Sequence, residues 1–339
     1  MTEALSADEH FLRLLGGKWI TAAISAAARL GIAEVLCDDD GAPRALDADA
    51  IARRVDCAPA GLERLLRVLA AEGLLAVDEA DRFTLTPLGA RLRRDALGDL
   101  AALVGEPFMW DPWSALPDAL RAGETGFERR FGRPLFAHLD AEDADRAAWH
   151  RGVDAFTRHE ARALAHAHDF GPVRAVVDVG GGLGTVCAEL AAAWPHLALT
   201  LVERPPVAAR AAARFAALGL DRCRVVAGSF FDPLPAGADR YVVKHVIHNW
   251  DDDAAAAILT RCAEAMAPGG RVLVVEGILL PGTRRDATRL LDLEMLVLRG
   301  AGRERDKKHF KRLFAAAGLL LETTAPLAGS ARLLIGRRR

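Results

Sequence analysis

Apolar residues dominate positions 11–36 (FLRLLGGKWITAAISAAARLGIAEVL), which read as helices with an apolar face all along, interrupted at Gly16-Gly17 and at Gly31. A stretch this apolar packs against something, either a core or another subunit. The grammar changes over residues 46–89. Asp47 can cap a short helix, ADAIARRV, and after a turn at Cys57-Ala58-Pro59 a longer helix follows, AGLERLLRVLAAEGLL. Two short extended runs, LAVDEA and RFTLTP, then flank a polar turn. Helix, helix and hairpin in that order describe a winged helix. A winged helix used for packing is favoured over one that reads DNA, because its second helix carries Glu63 and Glu72 beside Arg64 and Arg67. Residues 100–165 read as helical and rich in aromatics. Most of these belong to the core, and a subset suits the wall of a pocket for a flat ligand.

From residue 173 the period shifts to strand–helix alternation. VRAVVDVG, LALTLVER, CRVVAGSFF, ADRYVVKHVI and RVLVVEGILL read as strands, with helices TVCAELAAAWP, VAARAAARFAALGL and DDAAAAILTRCAEAMAPGG between them. That pattern predicts a doubly wound parallel sheet with helices on both faces. Two last extended runs, LLLETTAP and ARLLIGR, close it as an antiparallel edge.

A chain of 339 residues is long for one core, so two domains are expected. The net charge of −2 gives no whole-protein attraction to nucleic acid or to an anionic membrane. The run Arg337-Arg338-Arg339 reads as a solvated end. Five scattered cysteines form no CxxC pair, which argues against a disulfide framework or a metal site and fits a cytoplasmic protein. The acidic start MTEALSADEH lacks an apolar signal core, and no apolar run approaches the ~20 residues of a membrane span.

Candidate chemistry sits at the strand ends. The first strand of the alternation runs into Asp178-Val179-Gly180-Gly181-Gly182-Leu183-Gly184, a GxGxG loop that lets the backbone approach a ligand at a helix N-terminus. Such loops serve nicotinamide, flavin and S-adenosylmethionine alike. The spacing here favours the last, since the dinucleotide form would need a glycine where Thr185 stands. Glu203 ends the next strand, where a carboxylate can hold ribose hydroxyls. The fourth strand ends in KHVIHNWDD, which puts His248 beyond the carboxyl end, where ligands sit in open α/β sheets. Glu276, at the carboxyl end of the neighbouring fifth strand, can bond one imidazole nitrogen and leave the other as a base. Glu304, taken alone, reads as a surface charge.

These segments, in this order, resemble the plant caffeic-acid-type O-methyltransferases and their bacterial relatives in polyketide and antibiotic tailoring. The resemblance covers nearly the whole chain, through GKWITAAISAAARLGIAEVL, RFTLTPLG, VVDVGGGLGT, GSFFDPLP, KHVIHNWDD, VVEGILLP and GRERDKKHFKRLFAAAGL. It implies an α/β fold: a Rossmann-like methyltransferase domain with a mostly helical N-terminal winged-helix dimerisation domain. Residues 1–100 would form the dimerisation domain, 101–170 a helical linker and substrate-pocket region, and 171–339 the S-adenosylmethionine-binding catalytic domain. The implied cofactor contacts are Thr157, Gly180, Gly182, Glu203, Ser229, Phe230 and Lys244. The implied base is His248, flanked by Glu276 and Glu304, and Val153 and Met295 would wall the acceptor pocket. The implied partners are a small aromatic acceptor and a second copy of the chain, with no nucleic acid and no membrane. Three residues depart from the family pattern: Ser229 stands where Asp is usual, Asn249 follows the base in place of Asp, and Asp306 replaces Thr in the ERT run.

A phenol, with a pKa near 10, is mostly protonated at neutral pH and needs a base to attack a methyl carbon. His248 would take that proton while both carboxylates fix its tautomer. Two alternatives stay open at this point. One is a non-methylating S-adenosylmethionine-bound enzyme on the same scaffold, a hydroxylase, decarboxylase or rearrangement catalyst. The other is a winged-helix regulator that senses the cofactor.

Overall fold

In the computed structural model, which describes residues 6–283 and 285–339, the chain divides into two units. One comprises Met1–Trp110 and Glu142–Phe156, the other Asp111–Ala141 and Thr157–Arg339.

In the first unit, Ser6 caps α1 (Ala7–Arg29) through a reciprocal capping box with Glu9. The expected interruption at Gly16-Gly17 does not occur: α1 runs through both glycines. A mid-helix glycine costs only about 1 kcal/mol, and the alanine-rich turns that follow sustain the helix. Gly31, with φ 69°, takes the left-handed conformation that does end it. Next come α2 (Ile32–Val35), α3 (Ala48–Val55) capped by Asp47, α4 (Pro59–Ala71) opened by a proline, and the antiparallel pair β1 (Leu75–Val77) and β2 (Phe83–Leu85). Leu62, Leu66 and Leu69 recur at helical spacing on α4 and pack with Ile32, Ile51 and Phe83 in one core. On the outer face Arg67 pairs with Glu63 at 3.1 Å and Asp81 at 3.2 Å, so part of this helix's positive charge is neutralised within the unit. α5 (Gly98–Leu103) and α6 (Pro107–Trp110) complete its first segment.

The second unit begins with the short helices α7 (Leu116–Ala122), α8 (Gly126–Phe131) and α9 (Leu135–Ala141). The boundary between units falls inside α10 (Asp143–Ala167). The alternation then runs β3 (Ala175–Val179), α11 (Thr185–Ala193), β4 (Ala198–Glu203), α12 (Pro205–Ala217), β5 (Cys223–Ala227), β6 (Arg240–Lys244), α13 (Asp252–Ala265) and β7 (Arg271–Leu279). It ends with α14 (Ala287–Leu298), β8 (Arg305–Asp306), α15 (Lys307–Ala316), β9 (Leu319–Pro326) and β10 (Ala331–Arg338). The main sheet has the order β5-β4-β3-β6-β7-β10-β9, with β8 paired only to β7.

The first five strands of that order are parallel, and β10 and β9 are antiparallel, as the alternation and the closing edge predict. Side chains alternate across it. Val177, Tyr241, Val243, Val272 and Val274 enter one core, while Val176, Val242, Leu273 and Val275 enter the other. Near-continuous apolar strands are what burial on both faces requires. The chain leaves β3 toward β4 on one side and returns to β6 on the other. That makes the β3/β6 crevice the switch point where ligands bind in such sheets.

Candidate active site

β6 ends at Lys244, and His245 turns the chain with φ 49°, a left-handed conformation uncommon outside glycine. The chain then enters a single 3-10 turn, Ile247–Asn249, that carries His248. His248 is buried, with Nδ1 2.7 Å from Glu304 Oε1 and 3.5 Å from Glu276 Oε2. Its backbone N–H donates to Glu276 Oε1 at 3.2 Å. Both carboxylates therefore meet the same ring nitrogen, and Nε2 has no hydrogen-bond partner among the described residues.

The structure thus brings His248, Glu276 and Glu304 together, with one correction. Glu276 does not lie at the end of its strand, because β7 continues to Leu279, and the short bond to the imidazole comes from Glu304 instead. The reason is the return of the chain after α14. β8 pairs with the last residues of β7, the Arg303 amide donates to the His248 carbonyl at 2.8 Å, and the Glu304 amide donates to Asp292 Oδ1 at 2.8 Å. Arg305, fully buried, donates to the Ile247 carbonyl at 3.0 Å, the Trp250 carbonyl at 2.6 Å and Asp252 at 2.9 Å. The turn that bears His248 is thereby fastened to the segment that bears Glu304.

The two carboxylates differ. Burial pushes Glu276 up, but the pull of a proton on His248 and of the nearby His245 ring outweighs it and holds it below the usual range. For Glu304 burial prevails over the His248 hydrogen bond, and its proton affinity rises. His245, His248 and Glu276 also place donor atoms within 4.8 Å of one another. Within this group His245 Nε2 is bonded to Glu160 and His248 Nδ1 to Glu304.

At the switch point, Gly180 and Gly182 have φ 69° and 60°, the left-handed region that glycine occupies without a Cβ penalty. A Cβ on Gly180 would come 3.0 Å from Val246 and 3.3 Å from Phe230, whereas one on Gly182 would meet open space. Glu203 accepts from the Gly182 amide at 3.1 Å, and burial raises its proton affinity. Ser229 lies beyond β5 and its hydroxyl accepts from the Phe231 amide at 3.1 Å. Phe230 packs edge-on against Phe231 and Trp250. Lys244 Nζ reaches Thr157 Oγ1 at 3.1 Å and Glu160 at 3.0 Å. Asp178 sits under the loop, pushed up to about 7 by burial.

Met295 is buried on α14, and Val153 is half-buried in the part of α10 that belongs to the first unit. Two of the departures have structural explanations. Asn249 donates to the His245 carbonyl at 2.9 Å, which an aspartate could not do, and Asp306 caps α15 through the His309 amide at 2.7 Å.

Residues 113–320 match the O-methyltransferase domain model and residues 12–95 the O-methyltransferase dimerisation domain model. The chain belongs to the O-methyltransferase family. This O-methyltransferase is 35% identical to a phenazine O-methyltransferase of Lysobacter antibioticus, over 98% of this chain and 97% of that protein. It is 37% identical to an aclacinomycin 10-hydroxylase of Streptomyces purpurascens, over 80% of this chain and 75% of that one. Among solved structures it resembles an O-methyltransferase from neocarzinostatin biosynthesis in complex with S-adenosylmethionine and 2-hydroxy-5-methyl naphthoic acid. The TM-score is 0.71 at 32% identity, covering 94% of this chain and 96% of that one. The O-methyltransferase is an S-adenosylmethionine-dependent enzyme on a Rossmann-like sheet. No helix among its described residues is long and apolar enough to cross a membrane.

Sequence reasoning passed over Glu160, His245 and Arg305 in this O-methyltransferase. Glu160 has a carboxylate on a helix far upstream, with no local signal. The doubled His in KHVIH and the Arg after Glu304 were visible, but their partners were not.

Proposed function

We propose that the enzyme transfers the methyl group of S-adenosylmethionine to a phenolic hydroxyl of a small aromatic natural-product-like acceptor, with His248 as general base. The observation that carries this reading is the anchoring of His248 Nδ1 by Glu304 at 2.7 Å, which leaves Nε2 as the acceptor nitrogen. Gly180 approaches Val246, two residues before His248, so the glycine loop and the base share one rim.

S-adenosylmethionine supplies a methyl carbon made electrophilic by its sulfonium. The chain's own residues suit it. Gly182 keeps the loop free of a side chain over open space, Gly180 lets it lie close to Val246 and Phe230, and Glu203, already tied to that loop, holds ribose hydroxyls. Phe230 and Ser229 meet the adenine, the serine more weakly because its hydroxyl is committed to its own turn. Lys244, with Thr157 beside it, meets the carboxylate of the methionine end. His248 takes the phenol proton at Nε2 while Glu304 and Glu276 hold its ring and balance the charge it acquires. Holding acceptor and methyl carbon in line supplies several kcal/mol of the barrier reduction, roughly 7–11 at best. Met295 walls the acceptor. The exposed Phe11, Leu12, Leu14, Leu15 and Trp19 on α1 meet a second copy in a homodimer. Free thiols at all five cysteines suit the reducing cytoplasm.

The test is incubation of the purified protein with methyl-labelled S-adenosylmethionine and a panel of dihydroxy-aromatic acids, hydroxyphenazines and hydroxyquinones, read by mass spectrometry. Label on an acceptor oxygen is the expected result. An acceptor hydroxylated without label, the activity in the name of the hydroxylase relative, or one decarboxylated without label, would replace this reading. Glu203→Ala weakens binding of S-adenosylhomocysteine by about 1–3 kcal/mol in calorimetry, the scale of a lost charged hydrogen-bond partner.

A further inference from the structure

A second histidine stands beside His248 and has no part in the chemistry above. His245 Nε2 meets Glu160 Oε2 at 2.9 Å, and its Nδ1 lies 3.4 Å from Glu276 Oε2. Its ring centroid is 5.0 Å from that of His248. A carboxylate at each ring nitrogen suits the imidazolium, which alone has two N–H donors. Burial opposes a charge on His245, yet Glu160 outweighs it and holds the group up to about 9. Glu160, which burial pushes up, is drawn down to about 2 by His245 and Lys244.

We propose that His245 is a positioning residue whose fixed imidazolium, bridging Glu160 and Glu276, keeps the neighbouring His248 in its neutral, proton-accepting form. The inference rests on the reading of His248 as base. Two carboxylates converging on His248 Nδ1 favour a proton on that ring, and a doubly protonated imidazole has no lone pair for the acceptor's proton. The charged groups facing His245 are Glu160 from α10, Lys244 from the end of β6, Glu276 from β7, Glu304 from the segment before β8, and His248 itself. Lys244 and Glu160 pair at 3.0 Å and largely cancel. His245 is left to oppose the negative potential of Glu276 and Glu304. Its left-handed backbone fits this placement, since the kink after β6 turns the ring between two elements that flank the strand.

The test is an NMR titration of the histidine rings in the full chain bound to S-adenosylhomocysteine, with the His248 signal assigned by its loss in His248→Gln. His245→Asn is the main variant, because asparagine tolerates a left-handed backbone. His245→Gln is a second neutral replacement, and His245→Lys keeps the charge. In the neutral variants His248 should release its proton about two pH units higher, the scale of a unit charge about 5 Å away at an effective dielectric near 20. The acid limb of kcat/KM for a phenol should move with it, and His245→Lys should move it less. An unchanged His248 titration in a folded, S-adenosylhomocysteine-binding His245→Asn protein overturns the inference. So does activity lost to a chelator and restored by zinc, which would make the cluster a metal site. Failure of the base reading is a separate outcome: His248→Gln would then transfer methyl with the wild-type pH profile, while the ring titration still decides the effect of His245.

Discussion

An imidazole held at one nitrogen by two buried carboxylates has its tautomer fixed and its other nitrogen left to accept a proton. His248 is in this position, with Glu304 closer than Glu276. His248→Ala is expected to leave cofactor binding nearly intact and to cut transfer to a neutral phenol by ~100-fold to 10,000-fold, the range for general-base catalysis. The loss should shrink at high pH, where the phenol ionises unaided, and kcat/KM against pH checks both points. His248→Gln should not rescue transfer, since an amide accepts a hydrogen bond but keeps no proton. His248 was legible because it follows closely on the carboxyl end of its strand, and Glu276 because it lies on the neighbouring strand, three residues short of the end. Glu304 was legible only by resemblance, since nothing local distinguishes it from a surface charge. Glu160 was not legible at all: it lies 85 positions before its partner His245, and only the sheet and α10 bring them together.

Between strands and helices, small residues decide what can approach. Gly184 has φ 78°, and a Cβ there would come 2.2 Å from the Phe215 ring of α12, whereas Gly182, at φ 60°, has open space. Gly182→Ala is expected to cost about 1–2 kcal/mol of stability, the left-handed penalty. Gly184→Ala should cost about 2–4 kcal/mol, because the core ring must also move. Denaturant unfolding of both variants checks the order. For α1 the decisive feature is its outer surface: Trp19 is 73% exposed and Leu12 63% exposed. Light scattering should give about twice the chain mass of 36.3 kDa, and Trp19→Glu with Leu15→Glu should give the monomer. The apolar character of this helix was legible in the sequence. Its unbroken passage through Gly16-Gly17 was not, because glycine weakens a helix without forbidding it.

Across the whole molecule, buried charges make stability depend on pH. His245 is raised from an ordinary 6.5 to about 9, so its contribution is fully present below pH 6.5 and is lost as pH rises through 9. Glu160 is depressed from 4.5 to about 2, so its contribution is present above pH 4.5 and lost as pH falls through 2. Asp178, raised from 3.8 to about 7, adds a cost that grows between those values. The ligand-free protein should therefore lose stability between pH 6.5 and 9, by roughly 3 kcal/mol at most from His245. Thermal unfolding should show this decline flattened in His245→Asn. The sequence by itself determined the class of fold, the strand–helix order, the glycine loop and the strand-end position of His248, because period, turn chemistry and strand ends are local properties. Only the tertiary structure decided that the shorter bond to the imidazole comes from Glu304, that Arg305 fastens the two loops, and that His245 stands between Glu160 and Glu276. These pairings join segments far apart in the chain, and no local pattern encodes which side chains a sheet and its returning loops will bring within hydrogen-bond distance.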